Sequence, residues 1–143
     1  MMYVLDTNVV SELRKAARGK ADARVVAWAG SIPPGALFLS VITLMEIEQG
    51  ILQLERRDLH QGALIRHWFV RQVQPAFAGR VLPIDDAVAL RCARLHVPDP
   101  RNERDALIAA TALVHGMTVV TRNTADFVAA GVPLLDPWGL NKC

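Results

Sequence analysis

The chain has 143 residues and 52% of them are hydrophobic, enough for one domain with a buried core and too few for two. A composition this apolar excludes a disordered chain. The formal net charge is +2, and arginine supplies 13 of the 16 basic residues. Guanidinium groups bind phosphate, so this bias suits a nucleic-acid surface, although a GC-rich genome produces the same bias.

The sequence pattern offers neither a targeting signal nor a membrane span. Only about four apolar residues precede Asp6, and no stretch approaches the roughly 18 apolar residues of a transmembrane helix. Cys92 falls within an apolar helical pattern and Cys143 is the last residue, so the two cysteines indicate neither a disulfide framework nor a zinc site. We therefore expect a cytoplasmic protein without a membrane segment.

In chain order, the first predicted elements are a strand at residues 3–5 and a helix through about Arg14. Asp6-Thr7-Asn8 lies between them and consists of helix-capping residue types. Residues 14–24 hold five basic residues and Gly19, which predicts a mobile loop or a frayed helix end.

The middle of the chain places one strand between helices. Residues 23–29 predict a short helix, and residues 37–42 predict the second strand. Thr43 is expected to begin a helix to about Arg56, and Asp58 to begin a long helix that ends before Pro75.

The last part of the chain repeats this alternation. Strands are predicted at residues 81–84, 117–120 and 132–135, and helices after Asp85, over residues 105–115 and from Asn123. Strands that alternate with helices imply parallel βαβ units. The sequence therefore predicts an α/β fold, a single three-layer α/β/α domain over residues 1–143 with a central parallel sheet of about five strands.

Four acidic residues lie where a predicted strand gives way to a helix, or in the first turn of a helix: Asp6, Glu46, Asp105 and Asp126. In a parallel sheet such points share one edge, where ligands bind. Gathered carboxylates repel one another unless a cation lies among them, and an all-oxygen set suits Mg²⁺ or Mn²⁺. This pattern favours a metal-dependent enzyme that acts on phosphate esters, with RNA as the favoured substrate.

Each acid also has a structural explanation. Thr43-x-x-Glu46 has the spacing of a capping box, Asn102-x-x-Asp105 and Asn123-x-x-Asp126 have a similar spacing, and Asp6 suits a simple N-cap. The joint placement of the four acids after separate strands favours the metal site.

Other acids and aromatic residues offer weaker alternatives. Asp85-Asp86 also follows a strand and is the main rival, and Asp99 and Glu103 could act as outer ligands. The four histidines are scattered without a metal-ligand spacing. The tryptophans could stack on bases, but packing is the favoured role for all three: Trp28, Trp68 and Trp138.

Four stretches together resemble a known family. They read VLDTNVVSE at residues 4–12, DALIAATA at 105–112, VTRNTADF at 120–127 and GVPLLDPW at 131–138. The chain resembles the PIN-domain ribonucleases of bacterial type II toxin–antitoxin pairs, the VapC type and especially its FitB-like branch. The resemblance spans essentially the whole chain.

The resemblance implies a Mg²⁺- or Mn²⁺-dependent endoribonuclease that leaves 5′-phosphate ends. The four family acids match Asp6, Glu46, Asp105 and Asp126, of which Asp6 and Asp105 are the favoured direct ligands of one or two ions. Polar positions that orient carboxylates or water are matched by Thr7, Thr121 and Asn123. The family also implies a homodimer and a cognate antitoxin, through which the toxin binds operator DNA.

Basic residues near the acids are expected to bind RNA phosphate, and three are singled out: Arg14, Arg104 and Arg122. Solvated charges or antitoxin contacts are the alternatives for each. The charged segment 99–104 departs from the small, apolar approach that the family often has before its third acid.

Two other functions stay open at this point. The first is a catalytically inactive PIN-fold module that binds nucleic acid or antitoxin, although a complete acid set would repel phosphate. The second is a phospho-acceptor signalling domain, which usually places a lysine where Thr121-Arg122-Asn123 stands.

Overall fold

The computed structural model describes residues 1–139, so Cys143 lies outside the described residues. The strands in this part of the chain are β1 (Tyr3–Leu5), β2 (Leu37–Ser40), β3 (Val81–Leu82), β4 (Thr118–Val120) and β5 (Leu134–Leu135). All five are parallel and form one sheet in the order β3-β2-β1-β4-β5. In the central register Tyr3 lies opposite both Leu37 and Thr118. The predicted parallel five-stranded sheet is confirmed.

Among the described residues, seven α-helices connect or flank these strands: α1 (Thr7–Arg14), α2 (Ala23–Ser31), α3 (Val41–Arg57), α4 (Leu59–Trp68), α5 (Gln74–Ala76), α6 (Asp86–Leu95) and α7 (Glu103–His115). Within residues 1–139, no helix combines the length and the apolar character that crossing a membrane requires.

The sheet lies between two hydrophobic clusters. Val4 and Val119 belong to the cluster formed with α6 and α7. Leu5 and Val120, the next residues along the same strands, belong to the cluster formed with α1, α2 and α3. Because successive side chains of a strand point to opposite faces, both faces of the sheet are buried. This arrangement confirms the α/β/α layering.

One boundary changes the interpretation of a predicted motif. Strand β2 ends at Ser40, whose Oγ accepts the backbone N–H of Ile42 at 3.0 Å and caps α3. The prediction that Thr43 begins this helix was wrong, because Ser40 supplies the cap three residues earlier. Thr43 and Glu46 therefore form no capping box and lie one turn apart within α3.

Prolines account for several other differences in element bounds. Strand β3 ends at Leu82 because Pro83 has no N–H to donate to the sheet, and β5 begins only after Pro133. The long helix expected to stop before Pro75 continues from α4 through a π-helical turn, Phe69–Val73, into α5. Pro75 lacks an N–H and crowds the preceding turn, and the wider π turn accommodates it.

Residues 14–24 are more regular than the sequence indicated. Helix α1 continues into a 3₁₀ helix, Lys15–Arg18, which ends at Gly19 with a φ of +67°. Glu12 accepts the backbone N–H of Asp22 at 2.8 Å and pairs with Lys15 at 2.8 Å, which fixes the segment that leads into α2.

Substitution of Gly62 tests the close approach of α3 and α4. A Cβ at Gly62 would lie 2.6 Å from Glu55 Cγ and 2.8 Å from Glu55 Cα. We expect Gly62→Ala to lower the free energy of unfolding by about 1–3 kcal/mol in urea denaturation. Gly50→Ala is the matched control, since it lies within α3 with nothing inside 4 Å and should stabilise by up to about 1 kcal/mol. Equal stability of the two variants would contradict this packing.

Candidate metal-binding active site

Asp6 lies at the end of the central strand and caps α1. The residue is only 6% exposed. Its Oδ1 accepts the backbone N–H of Thr7 at 2.8 Å, and its Oδ2 accepts the Thr121 hydroxyl at 2.8 Å and the Asn8 amide at 3.2 Å. Burial and the nearby charge of Glu46 raise the pKa of Asp6, although the hydrogen bonds oppose the shift. Asp6 is thus a buried carboxylate held in one orientation.

Thr121 and Asn8 join the ends of β1 and β4. The Thr121 hydroxyl oxygen accepts the Asn8 amide at 3.2 Å and the backbone N–H of Asn123 at 3.0 Å, which leaves its own proton for Asp6. The Asn8 Oδ1 accepts the backbone N–H of Arg122 at 3.2 Å. These bonds position Asp6 from both strands.

Glu46 lies in the second turn of α3 and faces α1. The Thr7 hydroxyl donates to Glu46 Oε1 at 2.6 Å and lies 3.3 Å from the Thr43 hydroxyl. The guanidinium of Arg104 lies 3.7 Å from Glu46 Oε2 and donates to Gln49 at 2.8 Å. Thr7 therefore orients two carboxylates: its hydroxyl donates to Glu46 and its backbone N–H donates to Asp6.

Asp105 is the third residue of α7, and its backbone N–H donates to Asn102 Oδ1 at 3.2 Å, so the expected N-cap is present. Burial and the carboxylates of Asp6, Asp126 and Glu46 raise the pKa of Asp105 to about 6. The other three predicted acids thus lie within electrostatic reach of Asp105.

Asp126 ends a 3₁₀ helix, Thr124–Asp126, and is exposed to solvent. Its backbone N–H donates to the carbonyl of Asn123 at 3.0 Å. Asn123 is also exposed, and within residues 1–139 its side chain makes no capping hydrogen bond. Asn123 therefore contacts the site through its backbone bond to Thr121.

The four carboxylates share one edge without forming a closed cage. Among residues 1–139, ligand atoms of three His, Cys, Asp or Glu residues come within 4.8 Å of one another only at a separate cluster. The acids are hard oxygen donors whose charges repel one another, which is the donor set that Mg²⁺ or Mn²⁺ prefers. The residues fit such a cation, and binding it requires the carboxylates to turn towards it.

The rival acids have other roles. Asp85 caps α6 by accepting the backbone N–H of Val88 at 3.0 Å. It is not among the carboxylates that raise the pKa of Asp105. Glu103 faces His96 at 3.2 Å, and Asp99 is an exposed loop residue.

Of the three arginines expected to bind phosphate, only Arg104 contacts one of the acids. Arg14 lies over the ring of Trp68 at 5.9 Å, in a cleft of about 240 Å³ that Thr7 and Glu46 also line. Arg122 lies over the ring of Trp138 at 5.2 Å.

Sequence reasoning missed the role of Asn8, which was noted only as a capping type. Its position directly after Asp6-Thr7 was the available signal, but its hydrogen-bond partner Thr121 is 113 residues away in the sequence.

The comparisons with known proteins agree with this fold. Residues 3–132 match the PIN domain family, and the chain belongs to that family. The chain is 39% identical to the VapC ribonuclease Y4jK of Sinorhizobium fredii, with 96% of this chain and 98% of that protein covered. It is 36% identical to Toxin FitB of Neisseria gonorrhoeae, with 96% and 99% covered.

Solved structures give the same result. FitAcB from Neisseria gonorrhoeae superposes with a TM-score of 0.85 at 36% identity, covering 96% of this chain and 99% of that chain. FitAB bound to an IR36 DNA fragment superposes with a TM-score of 0.84 at 37% identity, covering 96% of each chain. The resemblance read from the sequence motifs is confirmed.

Thr121→Val tests the hydrogen bond that the Thr121 hydroxyl donates to Asp6. Removing the hydroxyl leaves a buried carboxylate short of one hydrogen bond, so we expect a loss of about 1–3 kcal/mol in the free energy of unfolding at neutral pH. Chemical denaturation in a chelating buffer measures it. Thr118→Val, at the start of the strand that precedes Thr121, is the control and should change stability by much less. Equal effects from the two substitutions would show that the hydroxyl bond contributes nothing.

The raised pKa of Asp105 makes the stability of the metal-free protein depend on pH. Its folded value of about 6 lies above its ordinary 3.8, so between these values the folded state binds more protons than the unfolded chain. The stability contribution of this group therefore rises as the pH falls from 7 towards 4. We expect Asp105→Asn to have a higher Tm than wild type at pH 7.5 in chelator, and the difference to vanish near pH 4. A difference that is constant with pH would contradict the electrostatic coupling.

Proposed function

We propose that this protein is the toxin of a toxin–antitoxin pair and acts as a divalent-metal-dependent endoribonuclease. The observation that carries the proposal is that Asp6, held by Thr121 and Asn8 at the carboxyl end of β1, lies beside Glu46, which accepts the Thr7 hydroxyl. The raised pKa of Asp105, caused by burial and by the carboxylates of Asp6, Asp126 and Glu46, supports a site shared by four acids at this edge of the sheet, where α/β folds bind ligands. Membership of the PIN domain family and similarity to proteins named ribonucleases support the same activity.

The proposed metal ligands are Asp6 and Asp105, with Glu46 and Asp126 completing the acidic site. Mg²⁺ or Mn²⁺ bound there would acidify water and offset charge on the phosphodiester. The chain itself supplies the orientation, because Thr121 and Asn8 hold Asp6 while Thr7 holds Glu46. These donors also favour the ionised form that a ligand requires.

Arg104 is the proposed phosphate-binding residue closest to the acids. Its ion pair with Glu46 is 3.7 Å long and its side chain is 42% exposed, so the pair is weak and the guanidinium is free to reach RNA. Arg14 extends the basic lining along the cleft beside Trp68. The Arg122 guanidinium stacks on Trp138 and its backbone N–H donates to Asn8, and we assign it a secondary role.

The partner is proposed to be a cognate antitoxin protein that inhibits the nuclease and carries it to operator DNA. Similar chains have been solved as FitAB bound to DNA and as a toxin–antitoxin complex from Klebsiella pneumoniae, the latter with a TM-score of 0.67 at 26% identity. A homodimer in the cytoplasm completes this proposal.

Asp6→Asn tests the nuclease. We expect Mg²⁺- or Mn²⁺-dependent cleavage of RNA to fall by at least about 100-fold, since losing a ligand exceeds the 10–100-fold effect of losing a supporting residue. Gel analysis of RNA incubated with purified protein measures it, and sequencing of the products should find 5′-phosphate ends. Asp86→Asn is the matched control, because Asp86 is an exposed acid in the first turn of α6.

Two outcomes would contradict the proposal. Undiminished cleavage by a folded Asp6→Asn protein would show that the acidic site does not take part in the reaction. Antitoxin binding by wild type without any cleavage in Mg²⁺ or Mn²⁺ would favour the inactive binding module instead.

A further inference from the structure

A second group of possible metal ligands lies away from the four acids, where α6 ends and α7 begins. The ligand atoms of Cys92, His96 and Glu103 all lie within 4.8 Å of one another. His96 Nε2 is 3.2 Å from Glu103 Oε2 and 3.7 Å from Cys92 Sγ, and Cys92 Sγ is 3.9 Å from Glu103 Oε1.

Two helices, α6 and α7, place these three residues next to one another. Cys92 lies on α6 and His96 is the C-cap residue that follows it, so the two are one turn apart on the same side. Cys92 is packed in the core at 3% exposure. Glu103 is the first residue of α7, whose N-cap is Asn102. The cluster therefore has one donor anchored in the core and one on an ordered helix start.

We infer that Cys92, His96 and Glu103 bind one Zn²⁺ ion, with water in the fourth position. A sulfur, a nitrogen and an oxygen ligand form a set that suits zinc, unlike the all-oxygen set around Asp6. The proposal does not depend on the nuclease function.

The spacing of the donors matches a tetrahedral ion. Zinc bonds of about 2.0–2.3 Å at tetrahedral angles separate nitrogen from oxygen by about 3.3 Å, and sulfur from either by about 3.5 Å. The observed separations are 3.2 Å from His96 Nε2 to Glu103 Oε2, 3.7 Å from His96 Nε2 to Cys92 Sγ, and 3.9 Å from Cys92 Sγ to the other carboxylate oxygen, Glu103 Oε1. The nitrogen and the sulfur therefore lie close to tetrahedral spacing, and the exposed Glu103 carboxylate has to turn so that one of its oxygens approaches both.

One hydrogen bond has to change when the ion binds. The backbone N–H of Arg101 donates to His96 Nδ1 at 3.0 Å, so a neutral ring carries its proton on Nε2. Zinc at Nε2 moves that proton to Nδ1 and ends the bond to Arg101. A single hydrogen bond is worth much less than three metal–ligand bonds, so this loss does not prevent binding.

Arg101 keeps the connecting segment in place after that change. Its Nε donates to the carbonyl of Leu95 at 2.6 Å, and its guanidinium reaches the carbonyl of Ala129 at 3.3 Å. An ion on the cluster would tie the end of α6 to the first turn of α7, which also contains Asp105.

Cobalt titration of the full-length protein tests the site. Co²⁺ bound to a thiolate gives an intense charge-transfer band in the near ultraviolet, and a four-coordinate site gives strong visible bands. We expect both in wild type, and we expect Zn²⁺ to abolish them by displacement. A Co²⁺ site made only of carboxylates and water gives neither the charge-transfer band nor the strong visible bands.

Matched variants assign the bands. Cys92→Ser should lose the charge-transfer band, whereas Cys143→Ser and Asp6→Asn should keep it. Glu103→Gln should weaken Zn²⁺ binding by about 100-fold or more without unfolding the protein, because the Glu103 side chain is 70% exposed. Zn²⁺ should raise the Tm of wild type and Asp6→Asn alike and leave the Tm of Glu103→Gln unchanged.

Three results would overturn the assignment: folded wild type without a charge-transfer band, a band that persists in Cys92→Ser, or unchanged Zn²⁺ affinity in folded Glu103→Gln. If Cys92→Ser fails to fold, the Glu103→Gln titration decides the question.

Discussion

Burying Asp6 at the junction of β1 and α1 puts a carboxylate beside the hydrocarbon of Leu5 and Val120, which lie opposite each other in the sheet register. A charge in that position destabilises the fold unless donors surround it. The donors come from both neighbouring segments, from Thr7 and Asn8 on one side and Thr121 on the other. Asn8 and Thr121 reach each other only because β1 and β4 pair in this register. The pairing of β1 with β4 and the hydrogen bonding of Asp6 therefore depend on each other, and the charges of Glu46 and Asp105 act on the same carboxylate environment.

Much of this followed from local patterns. Alternating apolar runs and capping residues predicted the parallel sheet, and the positions of the four acids led to the expectation of a shared site at its edge. The start of α3 could not be predicted from the local sequence, because Ser40 and Thr43 are both capping types and only tertiary packing decides between them. The π turn before Pro75 did not follow either, since a proline usually marks a helix end.

Side-chain contacts between distant segments were the least predictable part. Arg104 and Arg122 look equivalent in the sequence, yet one pairs with Glu46 and the other lies on Trp138. The sequence indicated no metal site at Cys92 and His96, because Glu103 approaches them across a turn in the chain whose path no local pattern specifies. The cluster thus depends on how α6 and α7 pack.

The separation of the central contacts along the chain has a consequence for synthesis. The hydrogen bond from Thr121 to Asp6 closes a loop of 115 residues, and β4 adds to β1 only once residues 118–120 exist. Contacts this distant form late in folding. A nascent chain would therefore stay inert until residues 118–121 have left the ribosome, because the proposed nuclease has no assembled site before that point.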